Sequence, residues 1–267
     1  MPFDTDKNFP QTSPTEQYRE RNIEITSGHE PDLSKVPIPS YSQVEHETWA
    51  IMFEKQKKTL PNRASNEYLE ALSTLALPEN RIPVLKNISK ALEETSGWKI
   101  TRVGGLVPEK EFFQCLSQRL FPCTDFIRPR SELEYTPSPD MFHDIFGHCP
   151  LITNPYFASF YEVFGKAALK ANPEQLSQLQ RIYWFTVEFG LIENPEGTRI
   201  YGSGILSSVG EVPYCLGPKV KRHVFDYEIV KNKFYEIYHM QEDLFVIPSF
   251  EWLLRSFKEY LEKEKLL

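Results

Sequence analysis

Proline decides where this chain can be helical. There are 21 prolines in 267 residues, and a proline fits the first turn of a helix but breaks its interior. Between them, apolar residues recur at helical spacing. Val44, Trp49, Met52, Phe53 and Gln56 form one such face, behind a cap at Ser40 and ending before Pro61. A second helix, "SNEYLEALSTLAL" (65–77), stops at Pro78. A third, over 82–97, has Pro83 in its first turn and Gly97 at its end. "PEKEFFQCLSQRLF" (108–121), "PYFASFYEVFGKAALKA" (155–171) and "PEQLSQLQRIYWFTVEFGLI" (173–192) each open on proline and predict further helices. A last one follows Ser249. Strand-like residues are fewer: "WKITRV" (98–103) leads into Gly104 and Gly105, and 198–247 has the glycines, β-branched and aromatic residues of short strands and turns. The expected fold is mainly α with a few short β-strands. One domain spans 41–267, and residues 1–40, polar and proline-punctuated, form an extended arm.

Charge and cysteines narrow the function classes. The net charge of −7 offers no global basic field for nucleic acid or anionic lipid. No apolar run approaches the roughly 20 residues of a membrane span, and the N-terminus lacks the basic-then-apolar pattern of a signal peptide. Cys115, Cys123, Cys149 and Cys215 lie far apart, without a C-x-x-C pair. They read as reduced, buried thiols of a cytoplasmic protein.

The chemistry concentrates in "PSPDMFHDIFGHCP" (137–150). Pro139 and Asp140 suit a helix start. His143 and His148 stand five residues apart, a rotation of about 140° on a regular α-helix, so their rings would not converge on one. Gly147 permits an end or a bulge that swings the second ring round. The zinc-protease pattern has histidines four apart with a glutamate after the first, and here the spacing is longer and the residue is Asp144. Two histidines at a helix terminus can equally be capping or core groups. Glu188 adds a third candidate: it sits among Ile182, Tyr183, Trp184, Phe185, Val187 and Phe189. A carboxylate buried there needs a proton or a cationic partner, either a metal or an arginine or lysine. Two histidines and one carboxylate match the ligands of non-haem Fe(II) oxygen chemistry. A zinc hydrolase with the same ligands, and Asp144 as its base, is the alternative.

Three stretches, "YTPSPDMFHDIFGHCPL" (135–151), "IYWFTVEFGLI" (182–192) and "YGSGILSSVGEVPYCL" (201–216), resemble in content, order and separation the signature segments of the pterin-dependent aromatic amino acid hydroxylases. The likeness is strongest to the bacterial members, which consist of the catalytic domain alone. It implies a single catalytic domain of the hydroxylase type, with His143, His148 and Glu188 as a facial triad for Fe(II). The cosubstrates would be O2 and tetrahydrobiopterin. One oxygen atom would become the para hydroxyl of tyrosine made from L-phenylalanine, and the other would leave on the pterin. Tyrosine or tryptophan hydroxylation by the same machinery differs only in the pocket.

The resemblance also assigns the surroundings. Arg128 would grip the substrate carboxylate through its planar fork, and Arg130 would lie at the surface. Tyr135, Thr136 and Pro137 would form a substrate-side loop, with Trp184, Phe189, Ser207 and Glu211 at further pocket positions. Ser207 would also serve the first histidine. For the pterin it points to Gly105, Leu106 and Val107, to stacking on Phe112, and to Tyr183. Asp144, one methylene shorter than the glutamate common in the family, would reach the pterin through water. The implied state is a monomer or homodimer.

Overall fold

The computed structural model describes residues 40–103, 107–133, 139–237 and 239–267. The N-terminal arm expected over 1–40 lies almost wholly outside them. Three helices come first: α1 (Gln43–Thr59), α2 (Asn66–Leu75) and α3 (Leu85–Ser96). The cap of α1 is Ser42 rather than Ser40, in a box with Glu45 that satisfies an end of backbone on each side. Gly97 ends α3 in the left-handed conformation (φ 73). Strand β1 (Lys99–Val103), α4 (Glu109–Ser117) and β2 (Leu120–Thr124) follow. The expected helix over 108–121 thus stops short. Arg119 turns the chain at φ 58, and Leu120 and Phe121 pair in parallel with Lys99 and Ile100 of β1.

A short 3-10 turn (Arg130–Glu132) precedes a π-helical turn, His143–His148, which runs straight into α5 (Cys149–Ile152). Next come α6 (Pro155–Lys170), α7 (Pro173–Tyr183) and a second π-turn, Trp184–Glu188. The helix predicted over 173–192 therefore ends at Glu188, and Leu191 and Ile192 already belong to β3 (Leu191–Asn194). After it come β4 (Gly197–Ile200), α8 (Ser203–Leu206), α9 (Glu211–Cys215), β5 (Lys221–Val224), α10 (Tyr227–Val230), β6 (Asp243–Ile247) and α11 (Phe250–Lys263), the last capped by Ser249. These strands form one sheet in the order β4-β3-β6-β5, antiparallel only between β3 and β4.

The aromatic residues do the packing around the two π-turns. Phe142 and Phe146 stack at 4.7 Å, and they meet Trp49 and Phe53 of α1 edge-on at 5.1 and 5.3 Å. On the other side Phe113, Phe164 and Phe257 stack in series from α4, α6 and α11. Such ring pairs add to the apolar area they bury. A π-turn shifts the backbone hydrogen bonds to i→i+5: Cys149 N donates to Asp144 O, and Phe189 N to Trp184 O. Side chains from neighbouring elements cover carbonyls of these turns. Tyr68 Oη of α2 donates to Phe146 O at 2.6 Å, and Ser203 Oγ of α8 to Val187 O at 3.0 Å. Both π-turns are thus held by tertiary hydrogen bonds as well as by packing.

Candidate active site

The π-turn resolves the five-residue spacing. With i→i+5 hydrogen bonding, His143 and His148 come onto one side of the helix, and their Nε2 atoms lie 2.9 Å apart with ring planes at 88°. Gly147 neither ends nor breaks the helix. A Cβ there would stand 2.8 Å from the Ser203 carbonyl oxygen, so the glycine lets α8 close onto the π-turn. The second π-turn brings in Glu188, with Oε1 at 3.4 Å from His148 Nε2 and Oε2 at 3.6 Å from His143 Nε2. All three side chains are buried.

Outer contacts fix each group. Ser207 Oγ lies 2.9 Å from His143 Nδ1 and donates its own proton to the Ser203 carbonyl at 2.8 Å. It must therefore accept from Nδ1–H, which leaves the His143 Nε2 lone pair facing the other two residues. His148 Nδ1 is 2.6 Å from Tyr161 Oη. Ser203 Oγ stands 3.1 Å from Glu188 Oε2. Burial pushes the His143 imidazolium down to about 3, against the pull of Glu188. Burial works against ionisation of Glu188 too, but His148 and His143 beside it hold the carboxyl at about 2. A bare ring nitrogen, a second one 2.9 Å away and a carboxylate bring three donor groups together, whose lone pairs are relieved by a shared imidazole proton or by a cation. Two ligands about 2.1 Å from one ion at right angles stand about 3 Å apart, so the donor set fits a metal.

His143, His148 and Asp144 also cluster, with one ligand atom of each within 4.8 Å of the others. Asp144 is the poorer third donor. Its Oδ2 accepts from Thr124 N and Oγ1, both at 2.8 Å, and burial raises its carboxyl to about 6 despite those bonds. Glu188 is the fully ionised group, and it faces both imidazoles.

Arg128 is buried, and its Nε and Nη2 bind the two oxygens of Asp140 at 2.8 Å each. The Arg128 backbone N–H and the His143 N–H also donate to this carboxylate. The sequence reading saw Asp140 only as a helix start. It performs that role through His143 N, and it also occupies the Nε–Nη2 edge of the arginine's fork. Burial opposes the charge on Asp140, but Arg128 keeps its carboxyl below the usual range. Arg130 is half-exposed and pairs with Glu47.

Of the other expected pocket residues, Trp184 stacks on Phe189 at 4.6 Å. Tyr235 covers its second face at 4.5 Å and 20°, an aromatic partner from an irregular segment that periodicity could not flag. Glu211, at the start of α9, is half-buried, and burial raises its carboxyl to about 7. Phe112 and Tyr183 meet edge-on at 5.9 Å, both buried, and Val107 lies half-buried before α4. Gly105, Leu106, Tyr135, Thr136 and Pro137 lie outside the described residues. Thr124, Tyr161 and Ser203 are not among the expected site residues, and Asp140 is expected only at a helix start. Each looks like an ordinary cap, strand or core residue until the fold sets it beside its partner.

Residues 2–266 match the family described as biopterin-dependent aromatic amino acid hydroxylase. The chain belongs to this family. It is 42% identical over 219 residues to a phenylalanine-4-hydroxylase of Pseudomonas aeruginosa, covering 82% of this chain and 84% of that protein. To the phenylalanine-4-hydroxylase of Chromobacterium violaceum it is 44% identical over 219 residues, 81% of this chain and 74% of that one. A crystal structure of the Chromobacterium violaceum enzyme with bound iron(III) and 7,8-dihydrobiopterin superposes with a TM-score of 0.87 at 39% identity, covering 96% of this chain and 93% of that one. The iron is that of the Chromobacterium violaceum enzyme, and as a member of this family the present chain is a biopterin-dependent hydroxylase. Its mainly α architecture is that of the bacterial phenylalanine hydroxylases, and the zinc hydrolase alternative is not favoured.

Proposed function

We propose that this hydroxylase is a phenylalanine 4-monooxygenase that converts L-phenylalanine to L-tyrosine with O2 and a tetrahydropterin. The observation that carries the reading is the convergence of His143, His148 and Glu188 from two π-turns, beside a buried Arg128 whose orientation Asp140 fixes. When bound, Fe(II), the tetrahydropterin and O2 supply the oxidising power that attacks the ring. The protein's residues bind, orient and exclude water. His143 and His148 give their Nε2 lone pairs to the iron, and Glu188 adds a carboxylate without first losing a proton. Arg128 receives the substrate carboxylate on its Nη1 side. The aromatic wall that holds the ring is Phe189, backed by Trp184 and Tyr235 in a stack behind it.

The low exposure of the triad keeps bulk water from the reacting centre. Gly105 and Leu106 keep the pterin role that the resemblance implies, and Phe112, Tyr183 and Val107 line the pterin side in this reading. Asp144, held by Thr124, faces it from the first π-turn. Tyr135, Thr136 and Pro137 keep the substrate-side role that the resemblance implies, and Ser207 and Glu211 their pocket roles. A cytoplasmic setting agrees with four buried free cysteines, and no described helix is long and apolar enough to cross a membrane.

The test is anaerobic loading with Fe(II), followed by tetrahydrobiopterin, O2 and, separately, each of the three aromatic amino acids. Tyrosine from phenylalanine is the expected principal product. A faster reaction with tyrosine or tryptophan would move the assignment within the family, and no hydroxylated product from any of them would refute it.

A further inference from the structure

The two histidines are held differently, and the second is held by a residue that no signature segment contains. Tyr161 lies on α6 with no exposed surface. Its Oη is 2.6 Å from His148 Nδ1. Rings on several sides fix the phenol: Phe157 at 5.0 Å and 85°, Trp98 at 5.8 Å and 66°, Phe121 at 6.3 Å and 82°, and Tyr183 at 6.3 Å and 75°. Phe121 also lies against the His148 ring at 5.2 Å. The phenol can therefore neither swing away nor be replaced by water without opening this aromatic cluster.

We propose that Tyr161 is the positioning residue of His148, fixing the rotation of its ring in either tautomer through a hydroxyl that can accept from or donate to Nδ1. This rests on reading His143, His148 and Glu188 as the metal centre. The contrast with His143 carries the argument. Ser207 spends its proton on the Ser203 carbonyl, so it can only accept from His143 Nδ1. The Tyr161 hydroxyl meets His148 Nδ1 at 2.6 Å and also the Tyr183 hydroxyl, which can itself donate or accept. A phenol can donate or accept. When His148 Nε2 gives its lone pair to a cation, the imidazole proton sits on Nδ1 and Tyr161 accepts it. When the proton sits on Nε2 instead, Tyr161 donates to Nδ1. The imidazole stays neutral in both states, one proton leaving Nε2 as another arrives on Nδ1. The hydrogen bond to the ring survives the exchange. His143 is locked in the ligating tautomer, whereas His148 is held in place through either one. Removing the outer partner of a metal-bound histidine typically weakens the metal by about 10–100-fold.

The experiment is Co(II) titration of the metal-free full chain, read by its d–d absorption, in the wild type and in Tyr161→Phe. The variant keeps the ring and its packing and removes only the hydroxyl. A Co(II) Kd raised by about 10–100-fold, with shifted d–d bands and unchanged near-UV circular dichroism before metal is added, supports the proposal. The wild-type Kd and bands in the variant would overturn it. A second measurement needs no variant. In 15N-histidine spectra of the Co(II)-free protein loaded with diamagnetic Zn(II), His148 should carry its proton on Nδ1. A bare Nδ1 would overturn the assignment of Tyr161 as acceptor. If the wild type itself binds neither cation, the metal-centre reading fails first and this proposal with it.

Discussion

Arg128 holds Nε and Nη2 on Asp140, and in the proposed role its Nη1 side takes the substrate carboxylate, so its planar shape matters as much as its charge. A lysine in its place keeps the charge but cannot hold Asp140 and a second carboxylate in one plane. Arg128→Lys should raise KM for phenylalanine at least about tenfold, while KM for the tetrahydropterin stays within about twofold; steady-state kinetics in both substrates check this. Glu211 gives a pH signature. Its carboxyl is ordinary when unfolded and raised to about 7 when folded, because burial disfavours the charge. Folding therefore favours the protonated form. Stability from this residue is intact at pH 4, falls as pH rises through the window from about 4.5 to 7, and stays reduced above it. Glu211→Gln should leave Tm of the metal-free protein unchanged at pH 4. At pH 8 it should raise Tm by about 2–4 °C, corresponding to about 1 kcal/mol after allowing for partial exposure. Thermal melts of both proteins at the two pH values decide the matter.

Among the elements, the π-turns decide whether three ligands meet. The sequence made the candidate ligands legible because a buried carboxylate and two histidines are rare in apolar stretches. It could not make the π-turns legible, since an extra residue per turn is selected by tertiary contacts: Tyr68 on Phe146 O, Ser203 on Val187 O, and the fit of Gly147 beneath α8. Helical periodicity itself read well where a proline or a serine cap marked the boundary, as at Pro155, Pro173 and Ser249. It overran where the chain passed from helix to strand without such a mark, at Ser117 and at Glu188. Gly147→Ala tests the packing requirement. The new methyl would meet the Ser203 carbonyl at 2.8 Å, and backbone must move to make room. The variant should lose about 1–3 kcal/mol of stability and bind Co(II) more weakly, because Ser203 contacts Glu188 and its carbonyl orients Ser207. A Gly147→Ala protein with wild-type Tm and Kd would show that α8 does not need this closeness. Asp140, Thr124 and Tyr161 belong to this scale too. Local sequence marks Asp140 only as a helix start and does not distinguish the other two, and the crossing of elements supplies Arg128, Asp144 and His148 as their partners.

For the whole molecule, the centre links the α1–α2 layer, the α6–α7 pair and the C-terminal sheet, so occupying it should stabilise the entire chain. A metal present at 100 times its Kd adds about 2.7 kcal/mol if it binds only the folded state. Fe(II) loading under argon should thus raise Tm by about 5–10 °C, and chelation should reverse the gain; a Tm indifferent to Fe(II) would place the metal outside the folding unit. The central claim is that Glu188, and not the neighbouring Asp144, completes the iron site for phenylalanine hydroxylation. Its most direct test is iron content and tyrosine formation measured side by side in Glu188→Ala and Asp144→Asn. The account predicts that Glu188→Ala loses both bound iron and tyrosine, while Asp144→Asn keeps its iron and turns over with a raised KM for the tetrahydropterin. Iron and activity retained in Glu188→Ala but lost in Asp144→Asn would contradict it.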